Sequence, residues 1–199
     1  MTIELQTRAL KAAVLAVPKK DVREYLTGAC VEITANHAII VGTNGHWLFA
    51  ARSEHGEEIQ EPVTIIIPRA DVEQAVKGHK GDTISLGRLS NGEWRLGSNI
   101  FKPIDGTYPD WRRVVPKKIS GQSSDYSPVY LAQVHKALSL WNHIPVSNPW
   151  GGFTLYQNGL EGAAAQGADT EAFCVLMPMR RAKEAPASPT VGWALPPSK

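Results

Sequence analysis

With 199 residues, 43% of them hydrophobic and 20% charged, the chain has the size and composition of one or two globular domains with a real core. A formal net charge of +2 permits nucleic-acid contact through one basic face but does not argue for it. Two cysteines among apolar neighbours, Cys30 and Cys174, form no disulfide framework, no secretory leader is present, and no apolar run approaches the ~20 residues of a membrane-spanning helix; the expected setting is the reducing cytoplasm.

In chain order, Thr2–Leu5 reads as a short strand and Thr7–Val17, rich in Ala and Leu, as a helix closed by Pro18. Tyr25–Thr34, His37–Val41 and Trp47–Arg52 follow as three strands separated by Ala35-Asn36 and by the turn GTNG. The pattern then recurs. Val63–Pro68 reads as a strand, Arg69–Lys77 as a short helix, Asp82–Leu89 and Glu93–Leu96 as a hairpin, and Asn99–Ile104 as a further strand. A third copy runs through a helix at Pro128–Leu140 and strands at Gly152–Tyr156, Leu160–Ala165 and Glu171–Met177. A supersecondary unit of roughly sixty residues is thus repeated three times, an α+β pattern of helices packed on antiparallel sheets. KKISGQSSD between the second and third copies suits a domain boundary, and the Pro-rich segment after Arg180 reads as a loose terminus. The expected divisions are 1–119, 120–180 and 181–199.

Signatures of chemistry are missing. No phosphate-cradling glycine loop occurs, nor any Cys-x-x-Cys or His-x-x-x-His metal spacing. His37, His46 and His55 fall on different strands or turns, the serines of GQSSD lack the elbow of a hydrolase nucleophile, and Glu57-Glu58 reads as a solvated loop. The chain is read as a non-enzyme without metal or cofactor.

FKPIDGTYPDWRRVVPKK, residues 101–118, carries five cations, three aromatics, three prolines and a glycine. Taken alone it could be a strip for nucleic acid, a connector, or a shaped surface. With DVREYLTGACVEI (21–33), VGTNGHWLFA (41–50) and IIIPRADVEQAV (65–76), it resembles in order and spacing the middle domain of the bacterial sliding clamp, the β subunit of the replicative DNA polymerase. CVLMPMR (174–180) resembles that family's C-terminal VVMPMRL. The likeness covers most of residues 1–118 and, more loosely, 120–180.

The resemblance implies the DNA-clamp fold, in which a domain is two strand–helix–three-strand units with helices toward the DNA channel. Three units make one whole domain and half of another, so the chain is expected to be a truncated clamp, and on the count of units about four copies would close a ring. The implied function is a processivity factor that holds duplex DNA without reading its sequence and tethers a polymerase or clamp-loader subunit through short peptides. The competing reading is a clamp-derived interaction module, a decoy or regulator that does not encircle DNA. A homo-oligomer is expected in the first case and no membrane in either.

Two sites follow from the resemblance. Cations on or beside the helices would face DNA: Arg8, Lys11, Lys19, Lys20, Arg23, Arg69, Lys77, Lys80 and Lys136, with His79 and His135 beside them. The plainer reading of these is a set of solvated helix faces. A partner-peptide cleft would be built from Thr43, Gly45, His46, Trp47 and Leu48, from Pro109, Arg113 and Val114, and from Val175, Leu176, Met177, Pro178, Met179 and Arg180. Here the plainer reading is core packing. Where the family has Asp and Arg in TDGHR, this chain has Asn44 and Trp47, so the rim is expected to lose a charge pair and gain a large ring. Residues 101–118 would then be a bent strand whose Pro109 and Val114 shape a wall and whose Arg113 orients a peptide. Gly192–Pro197 (GWALPP) could fold back into the cleft or remain a free terminus.

Overall fold

The structure, a computed structural model, describes residues 1–148 and 151–180. The first unit comprises β1 (Thr2–Gln6), α1 (Thr7–Ala16), β2 (Gly28–Ile33), β3 (His37–Thr43) and β4 (Trp47–Glu54). The second comprises β5 (Val63–Pro68), α2 (Arg69–Val76), β6 (Thr83–Arg88), β7 (Trp94–Leu96) and β8 (Asn99–Phe101). The third has α3 (Pro128–Trp141), β9 (Thr154–Tyr156), β10 (Ala163–Gln166) and β11 (Ala172–Leu176).

The first two units exchange their leading strands. β1 pairs antiparallel with β6 of the second unit (Ile3 opposite Leu86), and β5 pairs with β2 of the first (Ile67 opposite Ala29). The result is one sheet in the order β1-β6-β7-β8 and a second that starts β5-β2-β3-β4. The third unit extends the second sheet through β11, which lies against β4 from Trp47–Leu176 to Ala51–Ala172, and the sheet continues through β10 to β9. Beyond this ladder Arg52 donates its backbone N–H to the Glu171 carbonyl (2.8 Å), and the two side chains form an exposed ion pair at 2.7 Å.

Strand alternation gives the long sheet two buried faces. Val31, Ile40, Trp47, Phe49, Cys174 and Leu176 turn toward the core shared with the helices and the smaller sheet. Cys30, Val41, Leu48, Ala50, Ile66 and Val175 turn to the opposite face, where Tyr108 and Trp111 cover them. α1 lies at the centre of the helix layer, packed on α2, α3 and β3, and Ala9, Ala12, Ala13 and Ala16 let its neighbours come close. The closest approach is at Gly42 of β3, where a Cβ would stand 2.1 Å from the Ala13 carbonyl oxygen. The last carbonyls of α1 are received by Arg69 at the head of α2, whose Nη1 donates to Val14 O (2.9 Å) and to Val17 O.

Several predicted boundaries move. Residues 24–26 are a 3₁₀ turn closed by Thr27 N–H to Glu24 O (2.8 Å), and the strand expected from Tyr25 begins at Gly28. The strand expected to reach Ile104 ends at Phe101, because Pro103 has no N–H to donate and Ile104 donates instead to Ile66 O of the other sheet (2.9 Å). That crossing carries the chain over the outer face, where residues 111–114 form a 3₁₀ turn in place of the bent strand. The strand expected from Leu160 starts at Ala163, after a turn closed by Glu161 N–H to Asn158 O (3.2 Å).

Candidate peptide cleft and helix face

The segment after β8 is fastened to the outer face by one carboxylate. Glu32 of β2 accepts the indole N–H of Trp111 (2.8 Å) and both ends of the Arg112 guanidinium (3.0 and 2.6 Å). Arg112 in turn lies 4.2 Å above the Trp111 ring, and Trp111 packs at 6.2 Å against Phe173 of β11. Burial pushes the Glu32 carboxyl upward, but the hydrogen bonds from Arg112 and Trp111 outweigh it and hold the group below the usual range. Under this cover the Cys30 thiol is pushed up to about 12 by burial and the nearby Glu32, which keeps it neutral and inert.

Between this fastened segment and the β4–β11 seam lies a cleft of about 200 Å³. The 3₁₀ turn before β2 supplies Arg23, Tyr25 and Leu26, the β3–β4 turn Thr43, Gly45, Trp47 and Leu48, the covering segment Pro109, Asp110, Trp111 and Val114, and the last strand Val175 and Met177. The floor is apolar, with charge only from Arg23 and Asp110, both exposed. Arg23 is held by Asp21 (2.9 Å), and its hydrogen bonds bring the Asp21 carboxyl down to about 2. The β3–β4 turn is rigid for its length. Thr43 Oγ1 donates to Trp47 O (2.8 Å) and accepts from Gly45 N–H (3.1 Å), Asn44 Oδ1 accepts from the N–H groups of His46 and Trp47, and Gly45 takes φ +87°.

Thr43, Gly45, Trp47, Leu48, Pro109, Val114, Val175 and Met177 are therefore brought together as the sequence suggested. Others are placed elsewhere. Leu176 turns to the helix side, as alternation requires. His46 is exposed and stacks on Tyr130 of α3 (5.5 Å), while its carbonyl accepts from Met177 N–H (2.9 Å). Pro178, Met179 and Arg180 run past the rim, Met179 N–H donating to Asp125 O (2.7 Å). Arg113 lines a neighbouring concavity with Lys117, Lys118 and Leu160, and Val114 and Met177 form the ridge between the two. In the altered turn Trp47 borders the cleft yet packs its ring, 2% exposed, into the helix-side core, and Asn44 is the turn's internal acceptor. Sequence reasoning misses Tyr25, Leu26, Asp110 and Trp111 and puts Arg23 on the helix face; these residues lie in or directly before the two 3₁₀ turns, where the sequence suggests strand.

The proposed DNA-facing cations divide by environment. Arg8 donates to the Trp141 carbonyl (2.7 Å) and lies 4.1 Å over its ring, joining α1 to α3, and Arg69 is the cap already described, paired also with Glu73 (2.7 Å). Lys11 reaches the His79 carbonyl (3.4 Å). With Lys80 and His143, Arg8 and Lys11 border a shallow concavity at the head of α1. Lys19, Lys20, Lys77, Lys80 and Lys136 are exposed. Among the described residues no group of three or more His, Cys, Asp or Glu comes together that could hold a metal ion, and no helix is long and apolar enough to cross a membrane. GWALPP lies outside the described residues.

Residues 2–110 match the family model described as DNA polymerase III beta subunit, central domain. The beta sliding clamp of Proteus mirabilis is 32% identical over 116 residues, which are 55% of this chain and 31% of that protein. The beta sliding clamp of Escherichia coli strain K12 is 30% identical over 116 residues, with the same shares. The chain thus spans 31% of the length of these curated relatives. In fold it is similar to the DNA polymerase III subunit beta of Pseudomonas aeruginosa, with a TM-score of 0.68 at 16% identity over 91% of this chain and 66% of that one. It is similar also to the Helicobacter pylori beta clamp solved bound to a DNA ligase peptide, with a TM-score of 0.66 at 15% identity over 90% of this chain and 65% of that one.

Proposed function

The chain belongs to the family of the DNA polymerase III beta subunit, central domain, and from that premise we propose that it is a sliding-clamp-like processivity factor. In this reading residues 1–119 act as a whole clamp-like domain and 120–180 as half of another. The helix side lies toward duplex DNA, and the outer cleft receives a short peptide from a polymerase or clamp-loader subunit. The protein does no chemistry of its own. It works by holding two other molecules together in the cytoplasm.

The observation that carries the reading is the cleft at the β4–β11 seam. Segments far apart in sequence converge there on a small apolar hollow with a rigid turn and few charges, the arrangement that suits an anchor side chain of an extended peptide. The Helicobacter pylori clamp was solved with a peptide of DNA ligase, and a peptide ligand is the natural occupant to test here. On the helix side Lys19, Lys20, Lys77, Lys80 and Lys136 are the cations best placed for phosphates, since they are exposed.

One feature favours the interaction module as a second reading. Arg8 and Arg69, two of the cations expected on the DNA face, are engaged with carbonyls inside the protein. The two readings separate in one set of measurements. A fluorescein-labelled DNA ligase peptide should bind in solution and lose at least tenfold in affinity on Val114→Asp; failure to bind would remove the cleft from this role. Retention on circular duplex DNA with loss after linearisation would establish encirclement. Peptide binding with equal, salt-sensitive release from both DNA forms would replace the clamp by the module.

A further inference from the structure

We propose that the cleft is occupied in cis by the chain's own segment Val191–Leu195, making the protein a self-occluded peptide receptor. The inference rests on reading the cleft as a peptide site and names its resident ligand.

The path of the chain comes first. β11 brings Val175 and Met177 into the cleft, and the bonds Met177 N–H to His46 O and Met179 N–H to Asp125 O keep residues 177–179 along its rim. Arg180 is three residues beyond a cleft-lining side chain, so the following segment starts within about 10 Å of the cleft. The stretch from Arg180 to Trp193 can span up to about 45 Å when extended, which is ample to turn back over the rim.

The sequence of that segment then fits the hollow. Residues 181–190 are small, polar, charged or proline, whereas 191–195 read Val-Gly-Trp-Ala-Leu. In an extended chain Val191, Trp193 and Leu195 share one side, with Gly192 and Ala194 leaving the other side unobstructed. Pro196 biases Leu195 toward extended backbone. A cavity of about 150 Å³ suffices for a benzene-sized ring. The cleft, at about 200 Å³, therefore takes an aromatic anchor and leaves the smaller apolar groups for the walls at Pro109, Val114 and Leu48. No side-chain charge would have to enter the hollow with them, since no charged residue lies between Glu184 and Lys199.

Tethering supplies the rest. A short linker holds its ligand at an effective concentration on the order of millimolar. A segment with a free dissociation constant of roughly 0.1 mM would then fill the cleft about nine-tenths of the time and weaken any incoming peptide about tenfold.

The test uses full-length protein and, as the probe, a fluorescein-labelled synthetic peptide of residues 188–199. It should bind the Trp193→Ala/Leu195→Ala variant about tenfold more tightly than the unaltered chain, and adding Val114→Asp to that variant should abolish the gain. Equal binding to both proteins, no binding to either, or binding indifferent to Val114→Asp would each overturn the proposal. The DNA ligase peptide separates this from the function proposed above. If it binds both proteins equally, self-occlusion falls and the peptide-cleft reading stands. If it binds neither while the 188–199 peptide binds as expected, the cleft serves the chain's own segment and the tethering role falls.

Discussion

Removing the carboxylate of Glu32 should loosen the covering segment in two separable steps. Glu32→Gln deletes the ion pair with Arg112 but keeps an oxygen for the Trp111 N–H. Because Arg112 is half exposed, solvent screening limits that loss to about 1 kcal/mol. Glu32→Ala also strands the Trp111 N–H, and Trp111 is only 8% exposed, so about 1–2 kcal/mol more should go with it. For a protein of this size the two variants should melt roughly 3 °C and 5–10 °C below the parent at pH 7. The pH dependence has a definite sign. The folded carboxyl titrates below its unfolded value of about 4.3, so its contribution is complete above that value and disappears as the pH falls through the folded one. Parent and Glu32→Gln should therefore converge in strongly acidic buffer. Thermal unfolding of the three proteins from pH 7 down to pH 3 checks this. Identical melts for Glu32→Ala and Glu32→Gln, or a gap that widens on acidification, would refute the latch.

Gly42→Ala should lose more than about 3 kcal/mol, since its Cβ would meet the Ala13 carbonyl at 2.1 Å and α1 is held on its other sides; a melt within about 1 kcal/mol of the parent would show that the helix can shift. Arg69→Met should cost about 1–3 kcal/mol by uncapping α1 while leaving salt-dependent DNA retention largely unchanged, whereas Lys19→Glu with Lys20→Glu should weaken retention without moving the melt; denaturant titration and DNA filter binding separate the two effects.

Much of the fold was legible because its elements are strongly patterned: the Ala-rich α1, the VTIIIP strand and the turns around Gly45 and Gly92 sit within a residue or two of their expected places. The exchange of β1 and β5 was not, since a period of two says that a strand has two faces but not which strand lies beside it. The cleft was half legible. Thr43, Leu48, Val114 and Met177 came through motif likeness, while Tyr25, Leu26 and Trp111 depend on 3₁₀ turns with no strong local signature. Trp111 and Arg112 also answer to a carboxylate some eighty positions earlier, a pairing that only the folded chain brings about. Charge was the least legible feature. Arg8 and Arg69 look like surface cations in sequence, and each caps or joins helices by binding carbonyls.

The strand exchange also sets a timetable for the nascent chain. β1 is made well before its partner residues 83–87, so at 5–20 residues per second it waits roughly 4–16 s without a ladder. β4 waits longer on its free side, until residues 172–176 have been made. During both intervals Ile3, Leu5, Leu48 and Ala50 belong to open strand edges that another chain could pair with. Slower translation between residues 7 and 176 should then lengthen the time for which these edges stay open to another chain.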